Sequence, residues 1–560
     1  VPDYFFHVSA ALFIGIAFSF VLERLIKPQP VSFWQRPIGA VWVHIALWLL
    51  IYAVEFLQFG RPWIAMVLAN TIYAVLIAVN NVKYRTLREP FLYQDFEYFI
   101  DAFKYPRLYV PFFGWLRAIS CIVAVVLGLL LFVPLETPVS LAWGGLEYRV
   151  VLLTLIALSV ILLMVWGRGV VKISFHSSED LQKFGFLPTL WYYLLAEKKT
   201  IESLHDQSTL CLKPTAGSTV PSRLPHVIAV QSESFFDVRR WLPQVKKDVL
   251  QQFDRLCAES VRYGTLEVCA WGANTVRTEF AFLTGLDVNR LGVHKFNPYR
   301  RLVSTDTPSV VNHYKNLGYH TIAIHPYSKK FYRRERVFPL LGFDRFLDIE
   351  QFDSAQRTGP FVSDAEVSDL IEQILRDNRK AAGPPLFIFV ITMENHGPLH
   401  LEVPRVQSIK DDCTQPLPAG CEDVGIYLKH LRNADAMIGR LSQALKACAE
   451  QNPNSNSYSN SNSNSNSNSD SYSNSYSNLS PLNSSVSSPL TERPGLLVWY
   501  GDHVPIMDKA FNALGTPSGC TDYFLWSTDH QGSFTQPAIK QAMPVHELAR
   551  AVIDISSRAG

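Results

Sequence analysis

The sequence predicts a polytopic α-helical membrane domain followed by an α/β domain with a largely parallel central sheet. Three observations predict it. Apolar residues crowd into the first third of the 560-residue chain, in stretches longer than a soluble core helix sustains. Beyond residue 221, short runs rich in Val, Ile and Phe alternate with helical stretches, as strands and helices of a layered α/β domain do. A tract of Ser and Asn with scattered Tyr at 453–479 then separates two such elements without supplying a core.

Five apolar segments reach the roughly 20 residues a helix needs to cross a bilayer. They run over 8–25, 37–56, 62–81, 112–134 and 150–166. The fourth carries Arg117 near its start, where a long side chain snorkels to the interface; the fifth contains no charge. None has the form of a cleaved signal peptide ahead of a soluble protein. These segments define a membrane domain over 1–170, followed by a connecting helical region over 171–220. The connection between the third and fourth spans holds Lys83, Arg85, Arg88, Lys104 and Arg107. The positive-inside tendency places that connection in the cytoplasm, and the C-terminal domain with it, because two spans separate them. Read instead as a surface for anionic lipid head groups, the same charges leave the orientation open.

A formal net charge of +2 with no long basic stretch argues against a nucleic-acid-binding surface. Eight cysteines contain no CxxC pair, which argues against a thiolate zinc site or a thioredoxin-like redox motif. Cys413 and Cys421 bracket a short Pro/Gly-containing segment that a disulfide would close in an oxidising compartment.

The second domain is expected over 221–552, interrupted by a low-complexity loop at 453–490 and followed by a tail at 553–560. Four runs read as buried strands that deliver polar groups at their C-terminal ends: HVIAVQSESF, YHTIAIHP, PLFIFVITMENH and GLLVWYGDH. Helices are expected around 245–260, 363–377 and 424–449. In such folds ligands gather beyond the carboxyl ends of the strands.

The chemistry concentrates there. Glu233 follows the first run and Asp502–His503 follow the last, giving two carboxylates and an imidazole on one sheet rim. Oxygen and nitrogen donors in that ratio suit Mn²⁺, Zn²⁺ or Mg²⁺; taken singly, each is an ordinary strand-end cap. Within GANTVRTEFAFLTGL, Thr275 stands ahead of an apolar helical face. At a helix start it either caps the backbone or serves as a nucleophile, because unpaired N–H groups stabilise negative charge there. Glu279 reads as structural. His396 in TMENHGP offers an imidazole for hydrogen bonding or proton transfer, or is a satisfied structural histidine. The stretch HPYSKKFYRRERVF holds His325, Tyr332, Arg333 and Arg334, suited to phosphate contact and polyol packing, or to a solvated helix face.

Taken in order, QSESF, GANTVRTEF, FYRRERVF with GFDRF, TMENHGP and YGDHVP resemble the lipoteichoic acid synthase-type phosphoglycerol transferases of the alkaline phosphatase/sulfatase superfamily. The resemblance implies a sulfatase-like catalytic domain outside the bacterial cytoplasmic membrane. It implies a manganese-type site of Glu233, Thr275, Asp502 and His503. Thr275 would accept phosphoglycerol from phosphatidylglycerol and pass it to an envelope glycan or polyol. His396 and Arg334 match positions that hold the glycerophosphate group, and Tyr332 stands where the family commonly has tryptophan. Phosphoethanolamine transfer to lipid A or a glycan is the nearest alternative. Sulfate-ester hydrolysis fits less well, because no cysteine lies in the C/S-x-P/A-x-R context that formylglycine formation requires. A phosphate-ester hydrolase and a noncatalytic envelope protein are further alternatives.

Overall fold

The computed structural model describes residues 2–97, 133–138, 145–168, 172–198, 223–353, 360–402, 411–450, 492–529 and 538–558, with isolated positions between 119 and 130. Four described helices are long and apolar enough to cross a membrane: α1 (Pro2–Leu22), α2 (Ile38–Phe59), α3 (Pro62–Leu87) and α4 (Gly145–Trp166). They correspond to four of the five expected spans. The remaining one, 112–134, lies mostly outside the described residues.

Of the connecting region, residues 172–198 are described and include α5 (Ser177–Phe184) and α6 (Phe186–Glu197); Leu181, Phe186, Leu187 and Leu190 pack into one cluster with Trp48, Tyr52 and Tyr73 of the membrane helices. Glu23, buried after α1, joins the two segments by pairing with Arg36 at 2.6 Å and accepting the Phe186 N–H at 2.8 Å. A buried carboxylate is tolerated because both partners are in place.

The remainder is an α/β domain. Its strands are β1 (His226–Ser232), β2 (Arg262–Glu267), β3 (His320–Ile324), β4 (Arg345–Leu347), β5 (Leu386–Ile391), β6 (Gly495–Gly501), β7 (Thr521–Ser527), β8 (Ile539–Lys540) and β9 (Met543–Pro544). They form one sheet in the order β4-β3-β5-β1-β6-β7-β2-β8, with β9 also on β2. From β4 to β6 every pairing is parallel; β7 runs antiparallel to both β6 and β2. The four strands read from the sequence are thus the parallel centre, while the β7–β2 side was not anticipated.

Central strands read as continuous apolar runs because both faces are covered. Along β1, Ile228 and Val230 face one core while Val227 and Ala229 face the other. On the first face lie α7 (Gln251–Glu259), α11 (Asp364–Lys380) and α12 (Glu422–Ala449). The second face carries α8 (Thr275–Thr284), α9 (Val310–Asn316), α10 (Arg334–Leu341) and α14 (Val545–Ser556); α13 (Asp508–Leu514) lies beyond the end of β6. The helix α14 continues to Ser556 with Val552, Ile553 and Ile555 buried, so the first half of the expected tail, 553–556, belongs to this helix.

Cys413 and Cys421 form no disulfide: both are free thiols. Each is buried in the cluster on the first face and packs there as a small apolar side chain.

Candidate metal and group-transfer site

Strands β1 and β6 lie side by side with Ser232 opposite Gly501, so the residues that follow them, Glu233 and Asp502, leave the sheet together. Gly501 is required for this close approach: a Cβ there would overlap the Phe235 carbonyl oxygen. Glu233, Asp502 and His503 are all almost completely buried, and one ligand atom from each lies within 4.8 Å of the others. His503 Nε2 is 3.3 Å from Asp502 Oδ2 and 3.5 Å from Glu233 Oε1.

Their surroundings aim these atoms at one point. Asp502 Oδ1 accepts the backbone N–H groups of Ser234 and His503, both at 2.9 Å, whereas its Oδ2 is buried without a hydrogen-bond partner. His503 Nδ1 lies 3.1 Å from the Val504 carbonyl, which fixes the proton on Nδ1 and leaves the Nε2 lone pair facing the carboxylates. Glu233 accepts the Ser234 hydroxyl at 3.0 Å, and its own N–H donates to Thr392 Oγ1 at 2.9 Å. Burial and the Asp502 charge push the Glu233 carboxyl up to about 8. Two crowded carboxylates with an orphaned buried oxygen are the donor set that a divalent cation satisfies. Glu233, Asp502 and His503 therefore fit a metal.

Thr275 is the first residue of α8, preceded by Asn274 in a left-handed conformation (φ 65°). The Asn274 side chain makes no cap bond at this helix start. One turn along, the Thr278 hydroxyl donates to the Asp502 carbonyl at 2.8 Å, which ties this end of the helix to the metal-type ligands. Glu279 holds the structural place expected of it: buried, it binds Arg334 through Nη2 at 2.7 Å and Nε at 3.1 Å, and accepts the Tyr299 hydroxyl at 2.7 Å.

The basic stretch divides by role. Arg334 is only 1% exposed and its guanidinium lies 5.1 Å from the Tyr332 ring. His325 sits behind it, with Nε2 at 3.2 Å from Arg334 Nη1 and Nδ1 at 3.2 Å from the Ile391 carbonyl. Burial and the Arg334 charge hold this imidazole neutral, well below its ordinary value. Tyr332 and Arg333 both have positive φ, a strain that sets the ring over the guanidinium while turning Arg333 outward to Glu97 at 3.3 Å. The Arg333 side chain is mostly exposed in this pairing.

His396 follows β5 half-buried against Phe361, and its Nδ1 is 2.6 Å from the Gly397 carbonyl, which leaves Nε2 for another partner. Burial lowers it, opposed by that carbonyl and by the Asp502 charge. Its loop rests on a network the sequence did not reveal. Glu394 accepts from His430 Nδ1 at 3.1 Å, and His430 Nε2 reaches Glu402 at 2.8 Å. Ser234, Thr278, Thr392 and His430 all support the site; QSESF, TVRTEF and TMENHGP contained the first three, while His430 lies on a helix with no motif to mark it.

Residues 225–453 match the Sulfatase family. The chain is 26% identical to the capsular polysaccharide biosynthesis protein RkpI of Rhizobium meliloti, over 85% of this chain and 79% of the relative. It is 25% identical to a putative cyclic beta-1,2-glucan modification protein of the same organism, over 91% of this chain and 74% of the relative. The lipooligosaccharide phosphoethanolamine transferase A (EptA) of Neisseria meningitidis shares its fold, with TM-score 0.54, 12% identity, and coverage of 98% of this chain and 95% of that one.

Proposed function

Because the chain carries a sulfatase-family domain behind helices long enough to span a membrane, we propose that it transfers phosphoglycerol from phosphatidylglycerol to an envelope glycan through Thr275. The observation that carries this reading is the orphaned Asp502 Oδ2, converging with Glu233 and His503 beside the uncapped start of the Thr275 helix.

Glu233, Asp502, His503 and the Thr275 hydroxyl would hold a divalent cation, with manganese the preferred ion. When bound, such an ion supplies positive charge that favours the alkoxide form of a hydroxyl. Thr275 Oγ attacks the head-group phosphorus, the bond to the diacylglycerol oxygen breaks, and diacylglycerol leaves with a proton. Backbone N–H groups at the start of α8 stabilise charge on the phosphoryl oxygens. Arg334, pre-set by Glu279 and His325, faces the phosphate, and Tyr332 provides a platform for the glycerol. His396 Nε2 takes the proton of the acceptor hydroxyl as that oxygen displaces Thr275.

Two relatives named for capsular polysaccharide biosynthesis and cyclic glucan modification support a glycan acceptor. Helices long and apolar enough to span a membrane support a lipid donor, and we assign the catalytic domain to the extracytoplasmic face of the bacterial inner membrane. The neighbour named for phosphoethanolamine transfer makes that head group the competitor. Purified protein is therefore given phosphatidylglycerol and phosphatidylethanolamine, each with a distinct head-group label, together with an envelope glycan extract. Glycan carrying the glycerol label is expected; ethanolamine label alone would replace the donor assignment, and label on neither would refute transfer.

A further inference from the structure

Thr275 is flanked by two anchors that come from outside its own domain. After α3 the chain turns at Arg88, in a left-handed conformation (φ 54°), and delivers Arg88 and Glu89 side by side to the nucleophile turn. The Arg88 guanidinium stacks 3.9 Å above the Trp271 ring and donates to Thr516 at 2.9 Å. Glu89 receives both terminal nitrogens of Arg277, at 2.7 and 3.0 Å, in a largely buried bidentate pair. Lys83 of α3 braces this carboxylate at 2.7 Å and Asp95 at 2.6 Å.

Trp271 lies four residues before Thr275 and Arg277 two residues after it. The backbone between them is tightly specified: Gly272 has φ +70° with Ile506 in the way of any Cβ, and Asn274 is also left-handed. At that same Gly272, the Thr86 carbonyl oxygen of α3 lies 3.4 Å from where a Cβ would stand. The end of α3 and the two residues that follow it therefore meet the chain before Thr275, at Trp271 and Gly272, and after it, at Arg277.

We propose that Arg88 and Glu89 are positioning residues, through which the end of the third membrane helix holds the turn that presents Thr275 for reaction. The inference rests on Thr275 being the group-transfer residue. It gives the membrane domain a part in the chemical step beyond anchoring the chain near its donor. A misplacement of about 1 Å at a reacting atom is enough to slow a positioned reaction about 100-fold.

The test uses the full chain in phosphatidylglycerol-containing vesicles, as wild type, Glu89→Gln and Arg88→Asn. Arg88 is exposed and Asn accepts a positive φ, so the second variant keeps its fold if the first does not. Both variants are expected to lower kcat about 10-fold or more with the donor KM within about twofold, a split that simple loss of folded protein would not give. Amide hydrogen exchange across 271–277 is expected to accelerate while β1 and β6 stay protected. Unchanged exchange, or faster exchange with an unchanged kcat, would overturn the positioning role. A wild type that transfers nothing and leaves Thr275 unlabelled would overturn the functional reading instead, and the exchange arm would still decide the clamp.

Discussion

Asp502 shows how one side chain fixes a site. Its Oδ1 is spent on two backbone N–H groups and its Oδ2 is buried without a hydrogen-bond partner, beside Glu233 and His503. Such an arrangement is unfavourable until a cation enters. Asp502→Asn is therefore expected to weaken Mn²⁺ binding at least about 10-fold, measured by titration calorimetry, because a carboxylate ligand and its charge are lost together. Equal affinity in that variant would place the metal elsewhere. Thr275→Ala is expected to retain the ion more nearly but to lose about 10³-fold or more in head-group transfer. At this scale the sequence was informative wherever polar groups cluster at the end of a strand or the start of a helix: QSESF, GANTVRTEF and YGDHVP contain the candidate ligands and the candidate threonine within a few residues. It was least informative for side chains that differ only in direction. Arg333 and Arg334 are neighbours, yet one faces Glu97 and the other Glu279.

Among elements, the parallel strands were legible because burial on both faces leaves them unbroken apolar runs. β2, RYGTLE, is half-exposed and polar, and no comparable run marks it. The Gly501 position at the end of β6 is a strict demand of this packing. Gly501→Ala is expected to cost about 1–3 kcal/mol or more in chemical denaturation, from overlap with the Phe235 carbonyl. The link between the β5 loop and α12 carries a pH dependence. His430 lies between Glu394 and Glu402 and, against the cost of its burial, these carboxylates raise it to about 9. Its folded value lies above its ordinary 6.5, so the stabilisation is complete below pH 6.5 and is lost as pH rises through about 9. Thermal unfolding across that window is expected to show a loss on the order of 3 kcal/mol that His430→Gln removes. A variant with the same pH profile as wild type would show that another group titrates.

Across the whole molecule, the sequence separates a membrane part from an α/β part but does not show how they join. Lys83, Arg85 and Arg88 read as topology signals or lipid contacts. In the structure all three turn to protein: Lys83 to Glu89 and Asp95, Arg85 to Asp508, and Arg88 to Trp271. Glu89 and Arg277 are 188 positions apart, a pairing no local pattern encodes. Arg85 and Arg88 thus bind the α/β domain and Lys83 binds its own segment, while Lys104 and Arg107 of the same connection lie outside the described residues. The chain is expected to stay with membranes through alkaline carbonate washing, and protease added to the outer face of spheroplasts is expected to remove the catalytic domain. Protection of that domain in intact spheroplasts would place it in the cytoplasm and contradict the assignment. The central claim is that Thr275 carries the head group in transit. Full-length protein is incubated with Mn²⁺ and phosphatidylglycerol isotopically labelled in its glycerol head group, quenched without acceptor, and mapped by peptide mass spectrometry. The account predicts labelled glycerophosphate on the peptide containing Thr275, absent from Thr275→Ala; label on a different residue of an active preparation would contradict it.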